Sequence, residues 1–188
     1  MTIGPIYRFS RFLSGEYTGN FSDTSLKDLL VSFQIKDCWN TFRTFCADAG
    51  MGVPSVHELV KDVIRNRHKS AHSSEYVPTV ADIRAISINL TCIGLCFDAA
   101  MSSSVAYALH DWEKWCAGNY VWRGRTQLYY VDPQRSKFRL LKQGRQKALR
   151  IIESAAEGLS KVPKPSGGDI AVVVERDLSQ RATRWTIL

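Results

Sequence analysis

Residues 65–72, with the sequence RNRHKSAH, contain the side chains of this chain that are best suited to chemistry. Two arginines, one lysine and two of the four histidines fall within these eight positions. Histidine titrates near neutral pH and can act as a general acid or base, and arginine offers two parallel N–H donors to a phosphate. These residue types could form a small active site that binds a phosphate and transfers protons. The same residues could also be a basic helix end that complements the helix dipole.

The helix that must position these side chains has a clear sequence pattern. Ser55 and Glu58 have the spacing of a capping box, and one apolar stripe follows them: Val56, Leu59, Val60, Val63 and Ile64. At about 100° per residue, Arg67 continues the stripe, whereas Arg65 and His72 fall on the opposite side. Arg67 and His72 should therefore point apart. They could converge only if the helix end is distorted or if two copies of the chain meet.

The segment Arg67-His68-Lys69-Ser70-Ala71-His72 resembles the R-x4-H motif of the HEPN superfamily (higher eukaryotes and prokaryotes nucleotide-binding domains). The small Ala71 before the closing histidine matches the typical ending of that motif. The order of elements is also similar, with a motif helix, a loop and then a long apolar helix. Among HEPN proteins the chain looks most like the stand-alone RiboL-PSP type, over roughly residues 20–105.

This resemblance implies a metal-independent endoribonuclease, either a toxin or a phage-defence effector, that leaves a 2′,3′-cyclic phosphate and a 5′-OH. His72 would be the acid/base and Arg67 the transition-state clamp, while His68 would orient His72 or bind phosphate. The register Arg65-Asn66 to His72 is an alternative. The expected partners are RNA, a second copy of the chain in a homodimer, and an antitoxin or regulatory protein, with no cofactor. A non-catalytic HEPN module for RNA binding or dimerisation is the second expectation, and a DNA-binding regulator ranks last.

The positive charge is concentrated in one segment. The whole chain has a formal charge of +7, and residues 122–150 alone contain nine Lys or Arg and one acid. Such a segment with interleaved aromatic residues suits a nucleic-acid backbone, although a solvated basic face is an equal alternative. The predicted RNA-binding residues are Arg65, Asn66 and Lys69 beside the motif and Arg123, Arg125 and Arg139 in the basic segment.

The periodicity predicts a mainly α fold, a HEPN-like helical bundle over 1–117 with a basic α+β extension over 118–188. Helices are expected over about 26–48, 55–72 and 80–103, and strands over 119–132, 137–141, 169–177 and 184–188. Helix-forming composition extends over 143–161, and residues 1–22 show no clear period. The five cysteines form no CxxC pair, and the apolar runs look too short for a membrane span, so we expect a cytoplasmic protein with reduced thiols and no metal site.

Overall fold

The computed structural model describes residues 22–73 and 75–188, so the prediction for residues 1–21 lies outside the described residues. Five helices come first in this range, and a sheet with one further helix follows. The helices are α1 (Asp23–Ser32), α2 (Cys38–Asp48), α3 (Val56–His72), α4 (Val80–His110) and α5 (Trp112–Cys116). A 3-10 turn (Trp122–Arg125) then leads into β1 (Thr126–Gln134), β2 (Lys137–Lys142), β3 (Arg150–Ile152), α6 (Ala155–Lys161), β4 (Ile170–Arg176) and β5 (Ala182–Ile187).

The five strands form one mixed sheet in the order β3-β2-β1-β4-β5. Strands β1, β2 and β3 pair in antiparallel fashion, and so do β4 and β5. Strands β1 and β4 are parallel, with Thr126 opposite Ile170 and Tyr130 opposite Val174. The connection between them therefore needs a crossover, which β2, β3 and α6 supply.

Each face of the sheet is covered by helices. One face carries Leu128, Tyr130, Val172 and their neighbours, which share a core with buried residues of α2 and α4. The other face carries a second cluster around Tyr129, Val131 and Val173, which α6 covers. Helix α6 lies very close to the sheet, because a Cβ at Gly158 would lie 2.8 Å from Ile152 Cδ1 and 3.0 Å from Val131 Cγ2. The result is a three-layer arrangement of helices, sheet and helix.

The expectation of a mainly α fold is wrong. The chain is mixed α+β, with 51% helix, 19% strand and a five-stranded sheet. The predicted helix over 143–161 is instead a loop, the edge strand β3 and the short helix α6, which starts at the Ser154 cap. The boundary at residue 117 stays a prediction, and buried residues from both sides of it share one apolar core.

Helices α3 and α4 extend beyond this core as a pair. The buried residues of α3 are Val56 and Val60, and those of α4 begin at Cys92. Every described residue from 61 to 91 is at least partly exposed. We refer to the described residues 65–73 and 75–91 as the helical arm. Contrary to the sequence-based expectation, α4 is long and apolar enough to cross a membrane by length and composition, although its second half packs in the core.

Candidate functional site

The motif residues lie near the outer end of the helical arm, on the last turns of α3. The Ser55 hydroxyl accepts a hydrogen bond from the Glu58 amide at 3.2 Å and so begins the helix where the sequence predicts. The helix continues to His72, and the Ser73 amide donates to the Lys69 carbonyl at 3.0 Å. The helix end is therefore not distorted. Of the two ways in which Arg67 and His72 could converge, only the meeting of two chains remains.

Three motif side chains share one face of α3, since Arg65, His68 and His72 are spaced i, i+3 and i+7. The rings of His68 and His72 stack with their centroids 5.9 Å apart and 19° between their planes. Arg67 is five residues from His72, which puts it on nearly the opposite side of the helix. The structure thus brings both histidines together with Arg65 and separates them from Arg67.

The surroundings of these side chains are open and polar. Arg67 and His72 are exposed, and neither has an ion pair among the described residues. Arg65 Nη1 lies 3.0 Å from Asp62 Oδ1 in an exposed pair, which is weak enough for a phosphate to displace. One half-buried and one exposed imidazole ring, His68 and His72, on the same helix face as a guanidinium can bind a phosphate and exchange protons with it.

The other two predicted contact residues of α3 are also at the surface. Lys69 is exposed near the start of α4, where it helps to lower the pKa of Asp82; the main cause of that lowered pKa is the hydrogen bond from Thr79 to the Asp82 carboxylate. Asn66 is half-buried, and its backbone carbonyl accepts a hydrogen bond from the Ser70 hydroxyl at 2.9 Å. Lys69 lies about 60° around the helix from His72 and so borders the face of the histidines, whereas Asn66 lies more than 100° from both of them and faces away.

The three predicted contact residues of the basic segment have partners within the protein. Arg123 pairs with Asp48 and lies over the Phe45 ring at 4.9 Å. Arg125 donates to Asp169 Oδ1 at 3.1 Å and to the Gly167 carbonyl at 2.9 Å, and its guanidinium lies 3.9 Å from the centre of the Tyr107 ring. Each of these two side chains is about one-third exposed or less. They connect the helices to the sheet, which leaves little of their charge for a ligand.

Arg139 lies beside a buried acid, while its own side chain is 37% exposed. Its Nη2 lies 3.8 Å from Asp132 Oδ2, and the Asp132 side chain is only 1% exposed. Arg176 donates two hydrogen bonds of 2.7 Å to the same carboxylate. Arg139 thus helps to neutralise a buried acid on the face of the sheet that carries Leu128 and Tyr130.

One polar pair, His57 with Asp23, is not indicated by any pattern in the sequence. His57 Nε2 lies 2.6 Å from Asp23 Oδ2, and the Trp39 indole stacks on the imidazole at 4.9 Å between ring centres. The hydrogen bond from His57 is the main cause that lowers the pKa of Asp23. The two residues are 34 positions apart, so no local spacing could have indicated the pair. It joins α1 to α3 at the base of the arm.

The cysteines are free thiols in the structure. Cys38, Cys46, Cys92 and Cys96 are buried, and Cys116 is exposed. Cys46 and Cys96 lie with their sulfurs 3.3 Å apart where α2 crosses α4. Among the described residues, no group of three or more His, Cys, Asp or Glu side chains has the arrangement of a metal site.

Comparison of the chain with protein-family models, with curated proteins and with solved structures gives no match.

Proposed function

We propose that the protein is a metal-independent endoribonuclease of HEPN type that acts in the cytoplasm as a homodimer, as a toxin or phage-defence effector. The observation that carries the proposal is the stacked pair His68 and His72 beside Arg65 on an exposed helix end. The matching residues of the R-x4-H motif support the same reading. RNA is the substrate class because its own 2′-OH can serve as the nucleophile, so neither a metal nor a cofactor is required.

The chemistry needs a proton acceptor at the 2′-OH, a proton donor at the departing 5′-oxygen and a cation near the phosphate. A histidine suits each proton transfer, because its pKa lies near physiological pH. An arginine binds two phosphate oxygens and stabilises the charge that develops on them. In our assignment His72 is the acid/base, His68 orients it or binds phosphate, and Arg67 clamps the phosphate. Attack by the 2′-oxygen yields a 2′,3′-cyclic phosphate, and the leaving oxygen takes up a proton to become a 5′-OH.

The exposed apolar surface of the arm supports the proposed homodimer. Ile83, Ile86, Ser87 and Leu90 recur at helical spacing on α4 and line a groove beside Trp185. Ile83 is 56% exposed and Leu90 is 50% exposed. A stripe with a small residue at its centre is self-complementary, so two antiparallel copies of α4 could cover one another. Such a pairing would bring two motif helices into one assembly.

The direct test is cleavage of total RNA and of tRNA in EDTA by the wild-type protein, His72→Ala and His68→Ala. His110→Ala is the matched control, because His110 is also exposed but lies on the far end of α4. We expect cleavage by the wild type and the control, loss of at least 100-fold in His72→Ala, and products with cyclic phosphate ends. Equal cleavage by His72→Ala and His110→Ala would refute the assignment.

A mixed dimer decides which arginine belongs to the site. If Arg67 acts across the interface, subunits with Arg67→Ala and subunits with His72→Ala should restore activity when they are mixed, because one composite site is then intact. If Arg65 acts within its own chain, Arg65→Ala should abolish activity, Arg67→Ala should have little effect, and the mixture of Arg65→Ala with His72→Ala should stay inactive. An inactive mixture of Arg65→Ala with His72→Ala would favour the alternative motif, which runs from Arg65 and Asn66 to His72.

A non-catalytic HEPN module for RNA binding or dimerisation is the second candidate. It is favoured by the open setting of His72, which has no carboxylate partner to orient its ring among the described residues. A dimer that binds RNA but leaves it intact in the assay above would establish this reading. An antitoxin or other regulatory protein as an additional partner remains an expectation from the resemblance.

A further inference from the structure

The longest stretch without an acidic residue in the sheet region covers residues 133–152, which contain seven Lys or Arg. Three of the seven have polar partners: Lys137 pairs with Glu153, Arg139 with Asp132, and Lys142 donates to Gln127. Arg135 lies in the turn between β1 and β2, at the other end of β2 from the rest. The remaining three, Arg145, Lys147 and Arg150, lie together in and beside the loop between β2 and β3 and are exposed. We call these three residues the loop cluster.

The loop cluster has no internal neutralisation. None of its three side chains takes part in an ion pair or hydrogen bond within the described part of the chain. Successive members are two and three residues apart, so their Cα atoms lie at most about 7 to 10 Å apart. Like charges on one short loop repel each other, and salt weakens this repulsion at such distances. An anion with several charges would relieve that repulsion.

The backbone of the loop is fixed at both ends. The Gln143 amide donates to the Leu128 carbonyl at 2.9 Å, and the Leu149 amide donates to the Leu140 carbonyl at 2.8 Å. Between them, Gly144 has φ +76° and allows a turn in which the Arg145 amide reaches the Lys142 carbonyl at 3.0 Å. The cations are thus presented on an ordered backbone, which lowers the entropy that binding costs.

We infer that the loop cluster is a contact for the phosphate backbone of RNA, in place of Arg123, Arg125 and Arg139. The class of ligand rests on the proposed function, since a protein that cleaves RNA must hold its backbone. The side chains of the loop fit this ligand, because Gln143 and Gln146 add amide groups among the cations. Ile151, next to Arg150, is 54% exposed, and it is the one large apolar side chain exposed between residues 143 and 152, whereas a membrane-binding segment usually inserts several such residues.

The test separates binding from cleavage by using a fluorescein-labelled 20-nucleotide RNA whose 2′ positions carry O-methyl groups. This RNA has no free 2′-OH to attack its phosphates, so the wild-type protein can be titrated by fluorescence anisotropy. The test variant is R145A/K147A/R150A. The control K27A/K36A/R43A makes the same change of net charge at exposed positions on or beside α1 and α2.

At low salt we expect the test variant to bind the RNA about 10- to 100-fold more weakly than the wild type, and the control to change by less than threefold. The plot of log affinity against log salt should become shallower by about 2, from about 0.7 for each lost phosphate contact to a single strand. Circular dichroism and urea titration of both variants establish that they remain folded.

Three results would overturn the inference. If both variants weaken binding equally, net charge alone attracts RNA. If the test variant keeps its RNA affinity but loses binding to vesicles of phosphatidylcholine and phosphatidylserine, the loop contacts membranes instead. If the wild type does not bind the RNA at all, the cluster has another use. The ribonuclease proposal is judged separately, by cleavage of natural RNA in EDTA, and none of these three results by itself decides it.

Discussion

Removal of the Asp132 carboxylate should destabilise the protein more than removal of any single charge on its surface. Asp132 is 1% exposed, and Arg176, which is 13% exposed, grips it through two hydrogen bonds of 2.7 Å. Arg139 is the second cation beside it. In Asp132→Ala both arginines keep their charge, and Arg176 remains largely buried over the Tyr130 ring without a carboxylate beside it.

The expected loss can be worked out from these contacts. Two charge-assisted hydrogen bonds contribute roughly 1.5–3 kcal/mol each, and breaking a buried ion pair from one side costs about 3–5 kcal/mol in all. Domains of this size have a free energy of unfolding of roughly 5–15 kcal/mol. With a slope of about 2 kcal/mol per molar urea, a loss of about 4 kcal/mol lowers the urea midpoint by about 2 M.

Equilibrium unfolding in urea, followed by tryptophan fluorescence and circular dichroism, measures this shift. Asp132→Leu/Arg176→Leu is the informative companion, because it removes both charges and should be more stable than Asp132→Ala. A loss below about 1 kcal/mol in Asp132→Ala, or a double variant no more stable than the single one, would refute the reasoning. Arg139→Ala should likewise lower the urea midpoint while changing RNA affinity by less than threefold.

Three further outcomes are expected. Gly158→Ala should lower the free energy of unfolding by about 1–3 kcal/mol and lower the melting temperature, because the added Cβ would meet Ile152 and Val131. Adding Ile152→Val should recover part of this loss. An unchanged melting temperature would contradict the close packing of α6. Asp23→Asn should lower the urea midpoint more at pH 7 than at pH 3. The hydrogen bond from His57 holds the folded-state pKa of Asp23 below its unfolded value near 4. The stability that this pair adds is therefore present above about pH 4 and is lost as the pH falls through the folded-state pKa. Equal losses of stability at both pH values would exclude the ion pair as their cause. Ellman's reagent should titrate one thiol of the native protein, that of Cys116, and all five thiols in urea. The other four thiols are buried, and burial raises the pKa of Cys38, which lowers its reactivity. A second fast-reacting thiol in the native protein would show that the core opens.

The sequence by itself determined the elements whose signals are local. The Ser55 cap and the apolar stripe from Val56 fixed α3, and the Thr79–Asp82 capping box fixed the start of α4. Most of the strands appeared where β-branched and aromatic residues cluster, as in β1 and β4. The relative facing of Arg67 and His72 also followed from the sequence, because a regular helix turns by a fixed angle per residue.

Segments with conflicting local signals were decided by the tertiary structure. Residues 143–161 have helix-forming composition, but Ile152 gains more by pairing opposite Phe138 at the sheet edge and packing under α6. The parallel pairing of β1 with β4 joins residues 44 positions apart, which no short window of sequence can indicate. The fold class was therefore misjudged, because the extent of a sheet depends on such distant pairings.

The dependence on distant pairings also separates the predicted contact residues of α3 from those of the basic segment. At residues 65–72 the sequence alone gave the right helix and the right faces, since only local geometry was involved. For Arg123, Arg125 and Arg139 it gave only a count of charges, because their acids lie at positions 48, 169 and 132 and become neighbours only when the chain folds. Arg123 and Arg125 find acids 75 and 44 positions away, and Arg139 finds one directly opposite in the β1–β2 hairpin, whereas the loop cluster has no acid beside it in the described part of the chain.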